Sequence, residues 1–136
     1  MKYLSLLLLF VANVACADIY IVVHQNSPIQ SVDIEEIADV YLGRRKSIGD
    51  LYIDQVLDRT GDERRRFFES ATQMRISQVN AYWAKLKFSG RMRAPEVIAS
   101  RVQLVEKLKQ NPQAIGYMLG KPPNNAEIRV VLQIDE

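Results

Sequence analysis

Residues 51–71 (LYIDQVLDRTGDERRRFFESA) constrain this chain more than any other stretch. Tyr52-Ile53 and Val56-Leu57 are the apolar steps of a short buried strand, and Thr60-Gly61-Asp62 reads as a turn. Phe67, Phe68 and Ala71 then recur at helical spacing on the element that follows, over residues 62–71. A strand that turns through glycine into a helix leaves the first helical N–H groups without intrahelical partners, and the helix dipole adds about half a positive charge there. Such a junction in an α/β protein is suited to an anion. The candidate ligand-binding residues are Arg59, Thr60, Gly61 and Arg64, with charge from the two guanidinium groups and hydrogen bonds from the turn.

The same residues also have a plainer reading. Thr60 and Gly61 supply the N-cap and turn that a helix needs in any case. Asp62 and Glu63 stand in the first helical turn, where a carboxylate satisfies N–H groups and the dipole and typically stabilises by about 0.3–1 kcal/mol. Those carboxylates also repel an anion at close range. Arg64, Arg65 and Arg66 are spaced about 100° apart around a helix, so they cannot all converge on one ligand. At least two of them belong on a solvated face, paired with Asp62, Glu63 or Glu69.

The N-terminal residues 1–17 read as a signal peptide rather than as structure. Lys2 gives a positive n-region, residues 4–12 an apolar run, and Ala15-Cys16-Ala17 a small-x-small cleavage site. The run is too short to span a bilayer. A lipid anchor on Cys16 is disfavoured by Asn13, which stands where a Leu-like residue belongs. Cleavage after Ala17 is therefore the expectation, with a bacterial periplasm as the destination. Residues 18–136 then form a single domain of 136 − 17 = 119 residues, a size that supports a core without staples.

Cys16 is the only cysteine, so the processed chain is expected to lack disulfides and thiol chemistry. Removal of Lys2 leaves 17 basic and 16 acidic residues, a balance that points to neither nucleic acid nor a membrane surface. His24 is the single histidine, which rules out a multi-histidine metal site. No G-x-S-x-G elbow is present. The expectation is a non-enzyme with no catalytic residues, no metal and no cofactor.

Along the chain, residues 18–24 (DIYIVVH) read as a central strand. Asp33 and Glu36 form a capping box opening a helix with Ile34, Ile37, Ala38, Tyr41 and Leu42 on its apolar face, and Gly43 ends it. Arg44-Arg45-Lys46 and residues 91–95 read as basic, solvated loops. Val79, Tyr82, Trp83, Leu86 and Phe88 mark a helix over 77–87, with Tyr82 and Trp83 read as core beside Val79 and Leu86. Ser100 with Gln103 opens another helix, whose apolar face is assigned to Val102, Val105 and Leu108. Residues 114–118 and 127–134 are the last strands. This alternation predicts one α/β lobe with a mixed, mainly parallel sheet flanked by helices.

Three ordered segments carry a resemblance. Residues 33–44 (DIEEIADVYLGR) resemble the helix-then-LGK segment of periplasmic phosphate-binding proteins of ABC transporters, and residues 111–117 (NPQAIGY) resemble their NP-x-AIGY segment. Between them, Asn80-Ala81-Tyr82-Trp83 and Phe88-Ser89-Gly90 resemble the YW…F-S/T-G run of a short exported branch of that group. The resemblance implies one lobe of the type II periplasmic binding protein fold. It further implies phosphate or another small oxyanion as ligand, held by backbone N–H groups, hydroxyls and an arginine, and a membrane transporter or other periplasmic protein as partner. In the family motif an arginine precedes a Ser-Gly-Thr-type turn. Here Asp58 stands about where that arginine falls, Arg59 is next to it, and Asp62 and Glu63 occupy the hydroxyl and glycine positions. A clamshell would need its second lobe from another chain. Two readings follow: an oxyanion-binding module tied to phosphate uptake, or an interaction module that keeps the fold without the ligand site.

Overall fold

The computed structural model describes residues 17–90, 93–124 and 126–135. The signal-peptide assignment falls almost wholly on residues 1–16, and that of Arg91 to a basic loop on residue 91; both lie outside the described residues. In chain order the elements are β1 (Ile19–His24), α1 (Ile34–Tyr41), β2 (Ser47–Ile48), β3 (Leu51–Tyr52) and β4 (Gln55–Asp58). They continue with α2 (Gly61–Thr72), α3 (Ile76–Ser89), β5 (Glu96–Val97), α4 (Arg101–Gln110), β6 (Ala114–Leu119) and β7 (Ile128–Ile134).

Five strands form a mixed sheet in the order β5-β4-β6-β1-β7. β4 pairs parallel with β5 and β6, and β1 pairs antiparallel with β6 and β7. Four strands therefore run in one direction and β1 alone opposes them, which makes this the mixed, mainly parallel α/β sheet that the pattern predicts. The strand period of two divides the core into two layers. Ile21, Val23, Ile115 and Tyr117 face the layer made by α1, α2 and α3, with Ile37, Tyr41, Phe67, Phe68, Val79 and Trp83. Val22, Leu57 and Met118 face α4, which contributes Leu104 and Leu108.

Local signals set the ends of α1. Glu36 N–H donates to Asp33 Oδ1 at 2.8 Å and Asp33 N–H to Glu36 Oε1 at 3.3 Å, closing the capping box. Gly43 follows at φ 70°, the left-handed conformation that glycine adopts without strain.

Elsewhere tertiary context redraws the pattern. Residues 51–57 do not form one buried strand. β3 folds back on β2 through Gly49-Asp50, so Tyr52 is 54% exposed, and β4 begins separately at Gln55. On α4 the buried side chains are Leu104 and Leu108, an i,i+4 pair, while Val102 is 72% exposed; the apolar face is rotated from the one assigned. Among the described residues no helix is long and apolar enough to cross a membrane.

The approach of α4 to the sheet depends on Gly116. A Cβ at this position would lie 2.9 Å from Leu104 Cδ1 and 3.6 Å from both Leu108 Cδ1 and Leu57 Cβ. A single methyl can be relieved by a turn of Leu104, whereas a branched side chain cannot. Gly116→Val is expected to destabilise by about 1–3 kcal/mol through overpacking, and Gly116→Ala by less. Urea unfolding of the two variants checks the order.

Candidate functional site

β4 ends at Asp58, and Arg59-Thr60 lead directly into α2. Thr60 occupies the N-cap position with an extended backbone, and its hydroxyl makes no capping bond. Gly61 adopts φ 64°, with nothing within 4 Å of where a Cβ would sit. Both residues are exposed. The turn therefore lies on open surface, whereas the two arginines beside it are drawn into ion pairs.

Asp58, 2% exposed, anchors the first of these. The Tyr117 hydroxyl donates to its Oδ1, and so does the Arg59 N–H, at 2.8 Å. Arg64 Nε donates to Asp58 Oδ2 at 3.0 Å, and Arg64 Nη1 to Asn80 Oδ1 at 2.7 Å. The Arg64 guanidinium also lies over the Phe68 ring, 5.0 Å from its centroid. A buried carboxylate needs this degree of satisfaction, because desolvation of an unpaired charge costs several kcal/mol.

The second cluster centres on Arg59, 7% exposed. Its Nε donates to Glu63 Oε1, one helical turn on, and its Nη1 to the Ile98 carbonyl at 2.9 Å. The other Glu63 oxygen, Oε2, accepts the Leu119 N–H at 2.9 Å. Two donors from different parts of the fold thus converge on one carboxylate, at the end of the sheet where β4, β5 and β6 finish. Glu63, four residues after Arg59, is a readable i,i+4 pair; its bond to Leu119 spans 56 positions and has no local signal.

The structure thus separates the four candidate residues. Thr60 and Gly61 form the exposed helix start, Arg59 is neutralised by Glu63, and Arg64 is neutralised by Asp58. Arg65 and Arg66 lie on the outer face, where both pair with Asp62, and Arg65 also reaches Glu69 at 3.0 Å. The Arg65 guanidinium holds the exposed Asp62 carboxyl below the ordinary carboxylate range.

Beneath these pairs lies an aromatic cluster that pattern reading did not assign to the site. Tyr117 stacks on Phe67 with centroids 3.8 Å apart, and Tyr41 meets Phe67 edge-on at 4.6 Å. The Tyr41 hydroxyl donates to the Leu57 carbonyl at 2.7 Å. Burial, and then the Asp58 charge, raise both phenols above their ordinary range. Two neutral phenols and a fixed carboxylate therefore form a rigid floor under the β4–α2 junction.

No protein-family model matches the chain, and no curated protein sequence matches it. Solved structures do resemble it. A Clostridium perfringens protein named as a phosphate ABC transporter substrate-binding protein, solved with bound phosphate, matches with a TM-score of 0.66 at 18% identity. That match covers 86% of this chain and 45% of the other. An ABC-type phosphate transport receptor from Vibrio cholerae matches with a TM-score of 0.56 at 17% identity, over 86% and 46% of the two chains. A Planctomyces limnophilus protein named as phosphate-binding matches with a TM-score of 0.52 at 13% identity, over 78% and 37%. The chain thus spans about half the length or less of these neighbours, and over that span it has the fold of the phosphate-binding proteins of ABC transporters.

Proposed function

We propose that this chain is an exported, solute-binding-like lobe whose oxyanion pocket is built around Arg59 and filled by its own Glu63 carboxylate. The observation that carries this reading is the convergence of Arg59 Nε and the Leu119 N–H on the two oxygens of Glu63. A guanidinium and a backbone amide directed at one negative group make an anion cradle, here at the strand ends where ligands of open α/β sheets bind. The fold shared with phosphate-binding neighbours supports phosphate or a related oxyanion as the competitor for that place. Operation in the periplasm beside an ABC-type uptake system is part of the same proposal, as is the division into a signal peptide at 1–17 and a single domain at 18–136.

Competition sets the strength of binding. A carboxylate tethered one turn away is always at hand, so a free anion must displace it and leave Glu63 to find water. Phosphate is therefore expected to bind the wild-type chain weakly, in the millimolar range. Glu63→Gln keeps the shape and removes the competing charge; its phosphate affinity is expected to rise about tenfold or more, equivalent to about 1.4 kcal/mol. Arg59→Gln on that background is expected to abolish the gain. Calorimetric titration with phosphate and sulfate measures all three. Absence of heat from both wild type and Glu63→Gln overturns the proposal.

A second reading has its own observation. Glu63 and Asp58 between them already neutralise Arg59 and Arg64, as expected of a module that keeps the fold and acts through protein contacts alone. The calorimetric result that overturns the first reading selects this one.

A further inference from the structure

Residues 93–97 lie between two hollows, neither of which is lined by Arg59 or Glu63. One, of about 490 Å³, has Arg45, Lys46, Ile53 and Arg93 on its walls. The other, of about 240 Å³, is walled by Asn80, Trp83 and Lys87 and reaches the Asp58–Arg64 pair. Ala94 and Pro95 line both, so the two hollows adjoin across this segment and give the edge of the sheet a grooved surface. β5 is the end strand there; its two residues are exposed, with Val97 at 57%.

The carboxylates of this groove are largely consumed within the protein. Glu96 is taken by Lys107 at 2.9 Å and Gln55 at 2.9 Å, which hold its carboxyl below the ordinary range. Asp58 is bound to Arg64, and Asp54 accepts from the Asn111 side chain at 2.7 Å. The cations are less occupied. Arg45 approaches Glu36 only at 3.7 Å, and Lys46, Lys87 and Arg93, all exposed, form no ion pair among the described residues. Three positive charges without counter-charge thus flank an open strand edge, against one carboxylate, Asp54, whose partner is neutral.

We infer that this groove docks an extended acidic segment of another polypeptide, laid along β5 with its carboxylates toward Lys46, Arg93 and Lys87. A strand edge supplies main-chain pairing to such a segment, and Val97 supplies an apolar step. β5 has only two residues and is preceded by Pro95, which has no N–H to donate. Main-chain pairing is therefore short, and the charges must carry the affinity, which makes the complex sensitive to salt. The docking does not use the Arg59–Glu63 pair, which lines neither hollow.

Trp83 is the single tryptophan and lines the smaller hollow, so its emission reports occupancy directly. The test titrates the full chain with a fluorescein-labelled peptide of sequence Glu-Val-Glu-Leu-Glu-Glu, following anisotropy and Trp83 emission. A peptide with lysine in place of each glutamate serves as control. Saturable binding of the acidic peptide alone is expected, weakening several-fold as salt rises from about 50 to 300 mM. The triple variant Lys46→Glu, Arg93→Glu, Lys87→Glu is expected to lose about tenfold or more. Lys109→Glu, on α4, is expected to bind like wild type. All three reversed side chains are exposed, and thermal melts verify that the variants fold. The inference is overturned by absence of saturable binding, equal binding of the lysine peptide, full affinity in the triple variant, or displacement by inorganic phosphate at matched ionic strength.

Discussion

Asp58→Ala is expected to destabilise the fold by about 3 kcal/mol, the low end of what breaking a buried ion pair costs. Asp58 is 2% exposed and serves three donors: the Tyr117 hydroxyl, the Arg59 N–H and Arg64 Nε. Truncation strands Tyr117 in the core without an acceptor and leaves the Arg59 N–H with the Tyr117 oxygen alone, at 3.1 Å. Arg64 keeps Asn80 and has 19% of its side chain exposed, so water relieves part of its loss. That relief places the estimate at the low end. Asp58→Asn retains an acceptor for Tyr117 and Arg59, but it removes the charge and turns an NH2 donor toward Arg64 Nε, leaving that guanidinium to Asn80 and water; a loss smaller than alanine's is expected. For a domain of this size the alanine variant should melt roughly 10–20 °C lower. Equal melting of Asp58→Ala and wild type would show that Asp58 does not hold the β4–α2 junction in place.

The Asp58 cluster also marks where reading the chain from its residues stops. β1 and β6 are legible because both are short, β-branched or apolar runs bounded by turn residues, and the α1 capping box is legible because Asp33 and Glu36 are three positions apart. Local chemistry decides those elements. The phase of α4 is less secure: Val102, Leu104, Val105 and Leu108 are all apolar, and only the position of Gly116 on the sheet chooses Leu104 over Val102. β5, two residues long, has no period to read and exists because Asp58 and Leu57 offer it an edge. At the site, Arg59, Thr60, Gly61 and Arg64 stand out from spacing alone. What does not stand out is that Asp58 is buried, since a charged residue at a strand end is ordinarily exposed. Nor can spacing reveal that Glu63 meets the Leu119 N–H, because chain topology alone brings residues 63 and 119 together.

The second large effect is alkaline loss of stability from Tyr41 and Tyr117. Both phenols are buried, and burial followed by the Asp58 charge raises each above its ordinary value. Unfolded phenols ionise near pH 10. Above that pH the unfolded chain releases two protons that the folded chain retains, so the free energy of unfolding falls as pH rises. The slope is about 1.4 kcal/mol per pH unit for each phenol, and about 2.7 for the pair. The stability they confer is fully present below pH 10 and is lost as pH climbs from there toward the folded values. Urea unfolding between about pH 8 and 11.5 should show a flat region and then this decline. Tyr117→Phe removes one of the two phenols and should halve the tyrosine contribution to the slope, whatever it does to stability at neutral pH. Contributions from the rest of the chain are common to both proteins and cancel in the comparison. Absorbance near 295 nm supplies the independent check, since Tyr41 and Tyr117 should ionise together with the unfolding transition. An unchanged slope in Tyr117→Phe would mean that this phenol ionises in place, and that the floor beneath the β4–α2 junction is open to hydroxide.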